Sequence, residues 1–338
     1  MGAMSHAAAK INLSFFMFTA NLQPGDQRAA SHWIRHIKTM LDVGYTGFDL
    51  PIAPVQTYDH EAEIDDYKRL KESFNKAGLE HVRFTTNVAT TRSFDPTSPY
   101  AEQRREALNY LTSRVRITGL LDGDQGDTIM AGPFLFPYNQ FPTLDSGDPL
   151  WSDRLQDWLV PRYANAVPVF AELADFAAKH RVKLAIEPVD HWETPAPNTV
   201  SDVLDFTSRL ESPQTGATFD TAHIVLGNTG PDIFRANVRT ATEQQRLHYV
   251  HISPPDRGAV KDSWIPWDVI LPEIAPVYAG PYLVEVFNAV PPFVNVMRLT
   301  RRRFWIPGQD PPVSSVLSAY DVARDGIVIL REQIAKYS

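Results

Sequence analysis

Apolar and polar positions alternate between two periods along the chain from residue 11 onward. Short runs of strand-type residues are separated by longer stretches in which apolar residues recur every three or four positions, and this pair of patterns occurs eight times. Such alternation is typical of repeated βα units around a parallel sheet. We therefore predict an α/β fold, a single (β/α)₈ TIM barrel over residues 11–338 with elaborated loops on its carboxyl-terminal face. Residues 1–10 are interpreted as a cloning remnant or a disordered start and are set apart.

Breaker residues place several of the predicted boundaries. Gly44 ends the first helical pattern, Pro99 suits an early helix position, and Pro188 cannot join a sheet ladder, so a strand must end at Glu187. The strands are predicted at residues 11–18, 46–50, 81–87 and 127–131, and in four runs that end at residues 187, 220, 251 and 285. The helices are predicted at residues 26–43, 60–76, from 99 onward, 150–180, 199–210, 231–246, 265–277 and 313–337.

Two stretches follow neither period. Residues 132–148 and 298–312 are rich in aromatic residues and proline, and the second is also basic. The first stretch is predicted to be either a surface loop packed by its own side chains or a wall of a substrate site, because loops on this face of a barrel carry specificity. The residues themselves leave both interpretations open.

Four predicted strands end on residues of types that bind metal ions, namely Glu187, Asp220, His251 and Glu285. Because the carboxyl ends of barrel strands converge on one face, these side chains are expected to meet across about a hundred residues of sequence. Three carboxylates and one imidazole make an oxygen-rich site that favours Mn²⁺, Mg²⁺ or Co²⁺ over a structural Zn²⁺ site, and Mn²⁺ is the expected ion. Asp220 could instead cap a helix. His248 faces the other side of its strand and is interpreted as structural.

The amino-acid composition limits the classes of partner that the protein is expected to bind. The net charge of −8 argues against a nucleic-acid or anionic-membrane partner, and 43% apolar residues are enough for one full core. There is no cysteine, so a disulfide framework is excluded. No apolar run is long enough to span a membrane, and we expect a cytoplasmic protein that acts on a small molecule.

The motifs of the second half resemble the sugar phosphate isomerase and epimerase superfamily of xylose isomerase-like TIM barrels, especially its ketose 3-epimerases. The resemblance rests on Glu187-Pro188-Val189 with Glu193, on Asp220-Thr221 with His223, on His251 with Arg257, on Ile265-Pro266-Trp267-Asp268, and on Glu285. It implies that Glu187, Asp220, His251 and Glu285 are metal ligands, and that Glu187 and Glu285 are also the catalytic acid and base. It implies that Glu193, His223 and Arg257 contact substrate oxygens.

His191 departs from the pattern of the ketose 3-epimerases. The place four residues after the first metal-type glutamate usually holds a larger residue such as arginine in these enzymes. A histidine so close to a metal-type carboxylate is a candidate catalytic general base, although a partly buried loop histidine is the ordinary outcome. The stretches around Gly132 and Arg301 are also longer than a compact monosaccharide epimerase needs.

The leading hypothesis is a divalent-metal-dependent epimerase or isomerase that abstracts a proton next to the carbonyl of a keto-sugar and stabilises the resulting enediolate on the metal. The alternative is a lyase, resembling a keto-sugar dehydratase or the large subunit of 3-oxo-C-glycoside deglycosidases, in which the same enediolate expels a leaving group. The epimerase is expected to be a homo-oligomer, and the lyase a hetero-oligomer with a small subunit. A third hypothesis is a barrel that binds sugar or protein without turnover.

Overall fold

Eight strands form a closed barrel in a computed structural model that describes residues 9–18, 24–52, 58–123, 125–150, 152–287 and 304–337. Each strand pairs in parallel with its neighbours in chain order, and β8 closes the ring against β1. The strands are β1 Ile11–Ser14, β2 Gly47–Ile52, β3 Arg83–Val88, β4 Thr128–Gly132, β5 Val182–Ile186, β6 Thr215–Asp220, β7 Leu247–Ile252 and β8 Tyr282–Val284. The predicted (β/α)₈ fold is confirmed.

The helices surround this barrel. They are α1 Gln27–Val43, α2 His60–Lys76, α3 Ala101–Asp122, α4 Ser152–Lys179, α5 Val200–Thr207, α6 Thr221–Leu226, α7 Pro231–Glu243, α8 Trp267–Ile274 and α9 Ala319–Tyr337. Local sequence sets several of their ends. The side chain of Asp26 accepts a hydrogen bond from the Arg28 backbone N–H at the start of α1. Gly44 ends that helix with a φ of 111°, which glycine adopts without strain.

The core has two layers, because each inward strand residue alternates with one that faces the helices. Large side chains such as Trp33, Phe48 and Phe84 fill the layer between sheet and helices. A separate small cluster comprises Ile129, Ala131, Ala185, Tyr249 and Leu283. Its members on β5, β7 and β8 lie two residues before Glu187, His251 and Glu285, so the cluster forms the floor beneath those side chains.

The largest differences from the sequence prediction are two boundaries and one additional helix. β1 ends at Ser14 and not at Phe18, because the Ser14 side chain caps a 3₁₀ turn over Phe15–Met17. α6 was not predicted, and it begins directly after its N-cap, Asp220. The last helix begins at Ala319 and not near Val313, because Trp305 forms an isolated β-bridge with Ser318 just before the helix starts.

The two irregular stretches pack partly into the core. Phe134, Leu135 and Phe136 at the start of the first stretch are buried, whereas most residues from 139 to 149 are exposed. In the second stretch, residues 298–303 lie outside the described residues, as do residues 1–8 of the predicted start. Phe304 and Ile306 are buried. Within the described residues, none of the helices combines the length and apolar character that a membrane span requires.

Candidate active site

Four side chains converge at the carboxyl ends of the last four strands. Glu187 follows β5, Asp220 ends β6, His251 lies near the end of β7, and Glu285 follows β8. All four are at most 3% exposed. Since alternate strand residues point into the barrel, the register that buries Ala185 and Leu283 also turns Glu187 and Glu285 inward.

Distances within this group are short. His251 Nδ1 lies 3.1 Å from Glu187 Oε1, 3.6 Å from Glu285 Oε2 and 3.8 Å from Asp220 Oδ2. One ligand atom from each of the four residues lies within 4.8 Å of the other three. Glu285 Oε2 is buried and has no hydrogen-bond partner among the residues that the structure describes. Three carboxylates therefore face one small buried volume, which is a costly arrangement unless a cation occupies it.

Burial and mutual charge shift the pKa values of this group. Burial raises the pKa of Asp220 even though Arg257 and His223 act in the opposite direction. For His251, burial alone would lower the pKa, but the carboxylates of Glu187 and Glu285 outweigh it and raise the pKa well above its usual value. In the absence of a metal ion, the imidazole therefore supplies positive charge to the carboxylates.

Arg257 lies beside the four-residue group. Its Nη1 lies 3.3 Å from Asp220 Oδ1 and 3.9 Å from Glu285 Oε2, and it donates a hydrogen bond of 2.9 Å to Ser253 Oγ. The residue is buried and adopts a positive φ of 57°, a conformation that non-glycine residues rarely adopt and that the surrounding contacts must hold. Its guanidinium is therefore held where it can donate to the oxygens of a bound molecule.

A second group adjoins the first and contains Asp190, Glu193 and His223. His223 Nε2 lies 3.8 Å from Glu193 Oε2 and 3.9 Å from Glu187 Oε1, so His223 joins the two groups. Burial raises the pKa of Glu193. Glu193 Oε1 also accepts a hydrogen bond of 3.3 Å from the Tyr138 hydroxyl, which belongs to the first irregular stretch. The structure thus brings the three predicted substrate contacts, Glu193, His223 and Arg257, to the edge of the metal-type group.

His191 is not in either group. Its side chain is exposed, and its ring makes an edge contact with Trp192 at 4.8 Å. The reason lies in the backbone, because the carbonyl of Asp190 accepts hydrogen bonds from the N–H groups of Glu193 and Thr194 and so turns the chain outward at His191 and Trp192. The catalytic role predicted for His191 stays a prediction, and this geometry does not support it.

Sequence reasoning missed three polar residues of this region. Asp190 Oδ1 lies 3.3 Å from His223 Nδ1, and the Tyr138 hydroxyl donates to Glu193. Asp49 lies inside the barrel, where its Oδ2 accepts from Thr85 Oγ1 at 2.7 Å and burial raises its pKa to about 7. A carboxylate within the apolar run of the second strand was the signal for Asp49. Asp190 was signalled by its place midway between Glu187 and Glu193, and Tyr138 gave no signal of its own.

A polar chain runs beneath the metal-type group. Thr85 Oγ1 lies 2.9 Å from the hydroxyl of Tyr249, which in turn accepts a hydrogen bond of 3.2 Å from Asn12. The Tyr249 ring meets the His251 ring edge-on at 4.7 Å. These contacts fix the Tyr249 ring that supports His251 from below, so the ligand-type imidazole rests on an ordered layer.

The sequence and the fold of this chain match those of known proteins. A family model described as a xylose isomerase-like TIM barrel matches residues 10–303. The crystal structure of a candidate sugar phosphate isomerase/epimerase from Anabaena variabilis ATCC 29413 is 47% identical, with a TM-score of 0.93 over 98% of this chain and 100% of that one. D-allulose 3-epimerase from Methylomonas sp., solved with D-allulose, shares the fold at a TM-score of 0.72 and 18% identity, over 98% of this chain and 100% of that one.

Curated relatives are more distant in sequence. A ketose 3-epimerase from Arthrobacter globiformis is 27% identical over 150 residues, which are 44% of this chain and 50% of that protein. An L-ribulose 3-epimerase from Methylomonas sp. (strain DH-1) is also 27% identical over 150 residues, 44% of this chain and 51% of that protein. The chain thus spans about half the length of these two relatives. Both carry epimerase names, in agreement with the class that the motifs predicted.

Proposed function

Because the chain belongs to the family of xylose isomerase-like TIM barrels, we propose that it is a divalent-metal-dependent epimerase of keto-sugars. The observation that carries this proposal is the convergence of Glu187, Asp220, His251 and Glu285, in which Glu285 Oε2 is buried and accepts no hydrogen bond within the described part of the chain. The names of the curated relatives support the choice of epimerisation on a ketose.

The same four residues would hold the metal ion. Carboxylate oxygens and one imidazole nitrogen fit a hard divalent cation, and Glu285 Oε2, which no described group hydrogen-bonds, would be available as a ligand. Mn²⁺ is the ion we propose, with Mg²⁺ or Co²⁺ as alternatives. When bound, the ion would act as a Lewis acid that stabilises negative charge developing on the carbonyl oxygen of the substrate.

Glu187 and Glu285 are proposed as the acid and base. They follow β5 and β8, which are separated around the barrel by β6 and β7, and both lie close to His251 Nδ1. Two carboxylates that reach a bound carbon from different strands can remove a proton from one face and return a proton to the other. That exchange inverts the carbon next to the carbonyl, which is epimerisation.

Glu193, His223 and Arg257 would orient the sugar. Arg257 can donate to an oxygen that becomes negative during the reaction, and such a donor contributes about 3 to 4 kcal/mol in comparable sites. His223 Nε2 lies 3.8 Å from Glu193 Oε2, and both side chains lie at the same edge of the metal-type group. They can therefore hold the hydroxyl groups adjacent to the reacting carbon.

Elimination by a lyase would use the same residues. The names of the similar proteins refer to epimerisation and isomerisation, and His191, the residue that departs from the epimerase pattern, lies exposed. The small partner subunit, the homo-oligomer and the cytoplasmic location all remain predictions. Epimerisation is therefore the function that we propose.

Solvent exchange tests this proposal directly. Protein stripped with a chelator and reloaded with Mn²⁺ is incubated in D₂O with a panel of ketoses, and deuterium next to the carbonyl is followed by NMR. We expect deuterium incorporation together with a new epimer, both requiring metal and both lost in Glu187→Gln. Glu61→Gln, which alters an exposed ion pair with Arg116 on α2 and α3, is the matched control. No incorporation with any ketose would refute the proposal, and loss of a leaving group without an epimer would indicate the lyase.

A further inference from the structure

Tyr138 is a half-buried residue of the first irregular stretch, and the proposed mechanism leaves it without a role. Its hydroxyl donates a hydrogen bond of 3.3 Å to Oε1 of Glu193, one of the residues proposed to hold the sugar. The other carboxylate oxygen of Glu193, Oε2, accepts from the backbone N–H of Asp190 at 3.2 Å. The two oxygens of this carboxylate are therefore held by donors from two connections, the one from β4 to α4 and the one from β5 to α5.

Backbone hydrogen bonds also join these connections. The Asn139 N–H donates to the Glu193 carbonyl at 2.7 Å, and the Tyr138 N–H donates to the carbonyl of Thr90, on the connection from β3 to α3, at 2.9 Å. Asn139 has a φ of 55°, a left-handed conformation that the surrounding contacts must hold in a non-glycine residue. Main-chain bonds thus determine where Tyr138 lies, and its hydroxyl can be removed without releasing the stretch.

The first irregular stretch divides into an anchored part and an exposed part. Residues 134–136 are buried, and Thr90 Oγ1 donates to the carbonyl at position 136 at 3.0 Å. Most residues from 139 to 149 are exposed. Tyr138 is the last residue of the anchored part, at the point where this part reaches the candidate active site. A wall of the substrate site therefore suits the anchored part, and a surface loop suits the residues that follow it.

We propose that Tyr138 is a positioning residue that holds the Glu193 carboxylate in the orientation in which it accepts a hydrogen bond from a hydroxyl of the sugar. The sugar part of this proposal rests on the proposed function. A carboxylate held by one donor at each oxygen keeps further lone pairs for a ligand and loses rotational freedom before the ligand arrives. Without the tyrosine hydroxyl, the substrate itself has to order Glu193, and that ordering weakens binding.

Steady-state kinetics of Tyr138→Phe test this role. The substitution removes the hydroxyl and leaves the ring and the backbone bonds in place. KM for the ketose should rise by about 3- to 10-fold, which corresponds to the net contribution of one hydrogen bond. The value of kcat and the metal content should change little, because the substitution alters neither a proposed acid or base nor a proposed metal ligand. Unfolding by denaturant should confirm that the variant is about as stable as wild type.

A double-mutant cycle shows whether Tyr138 acts through Glu193. Glu193→Ala removes the carboxylate, so adding Tyr138→Phe to that variant should leave KM unchanged. If turnover by Glu193→Ala is too slow for kinetics, the affinity for the ketose is measured by calorimetry in all four proteins of the cycle. Ser146→Ala is the matched control, because it removes a hydroxyl that donates to the Asp148 carboxylate at 2.8 Å in the exposed part of the same stretch. This control should leave KM at the wild-type value.

The outcomes separate this role from the proposed function. A rise in KM that occurs only when Glu193 is present would support the positioning role. An unchanged KM in Tyr138→Phe, or an equal rise with and without the Glu193 carboxylate, would overturn that role and leave the epimerase intact. Wild-type protein that neither binds nor turns over any ketose would refute the epimerase, and the role of Tyr138 would be refuted with it.

Discussion

Glu63 and Arg114 form a buried ion pair between α2 and α3, whereas three carboxylates meet one guanidinium and one imidazole at the ends of β5 to β8. In the helix pair one negative charge meets one positive charge, both terminal nitrogens of Arg114 bind the Glu63 carboxylate, and the guanidinium packs 4.4 Å from the Tyr110 ring. At the strand ends, Glu187, Asp220 and Glu285 carry three negative charges, more than Arg257 and the protonated His251 together can balance.

The Glu63–Arg114 pair therefore stabilises the fold, whereas the strand-end carboxylates are suited to binding a cation. A buried pair with bidentate geometry balances its own charge, and removing one partner leaves the other buried alone. The strand-end group balances its charge only when a cation binds. We therefore expect neutralising substitutions to have opposite effects on stability in the two regions.

Glu285→Gln should have the largest effect, and on activity. Loss of a proposed acid/base and metal ligand is expected to reduce turnover by about 10²- to 10⁴-fold. Metal-free Glu285→Gln should be at least as stable as metal-free wild type, because one carboxylate is removed from a like-charge group. Turnover with Mn²⁺ and thermal unfolding in excess chelator measure the two effects. A clear loss of metal-free stability would contradict an excess of negative charge in the strand-end group.

Glu63→Gln should have the reverse effect, a loss of stability with activity retained. It leaves Arg114 buried without its counter-charge, so the free energy of unfolding should fall by about 3 to 5 kcal/mol. Chemical denaturation measures that loss, and activity per folded molecule should be retained. The double variant Glu63→Leu/Arg114→Met removes both charges and should recover much of the loss. Equal losses in the single and double variants would show that packing, and not charge, is what the pair contributes.

Periodicity and proline placement predicted the ends of β5 to β8 to within one residue, and with them the convergence of the four metal-type residues. Alternation along a strand is local, so it also placed His248 and His251 on opposite faces of β7. The structure agrees, because His248 Nε2 lies 2.9 Å from the Pro213 carbonyl while His251 faces the carboxylates. Where a single strand determines both the position and the direction of a side chain, the sequence alone predicted where that side chain lies.

Contacts between distant segments were not predictable in this way. Asp190 depends on His223 from the next βα unit, and Tyr138 reaches Glu193 from a stretch without a period. His191 was proposed as a base from its closeness in sequence to Glu187. The backbone turn at Asp190 directs it outward instead, and no periodicity signals such a turn.

The smallest expected effect is the contribution of His248 to the pH dependence of stability, on the same strand, β7, as His251. Burial lowers the pKa of His248 to about 3, with Lys183 acting in the same direction. Between pH 6.5 and 3 the unfolded chain binds a proton that the folded protein excludes. The contribution of His248 to stability is therefore complete above pH 6.5 and declines as pH falls, by up to about 1.4 kcal/mol per pH unit.

His248→Gln should flatten the acid branch of the stability profile. Unfolding by denaturant at pH 7, 6, 5 and 4 is compared for wild type, His248→Gln and the exposed-site control His81→Gln. The His248 variant should be less stable than wild type at pH 7, because the bond to the Pro213 carbonyl is disturbed, and should lose less stability on acidification. A slope equal to that of His81→Gln would show that His248 takes up its proton within the folded protein. In that case His248, although buried on the helix-facing side of β7, would tolerate a positive charge, as His251 does among the carboxylates.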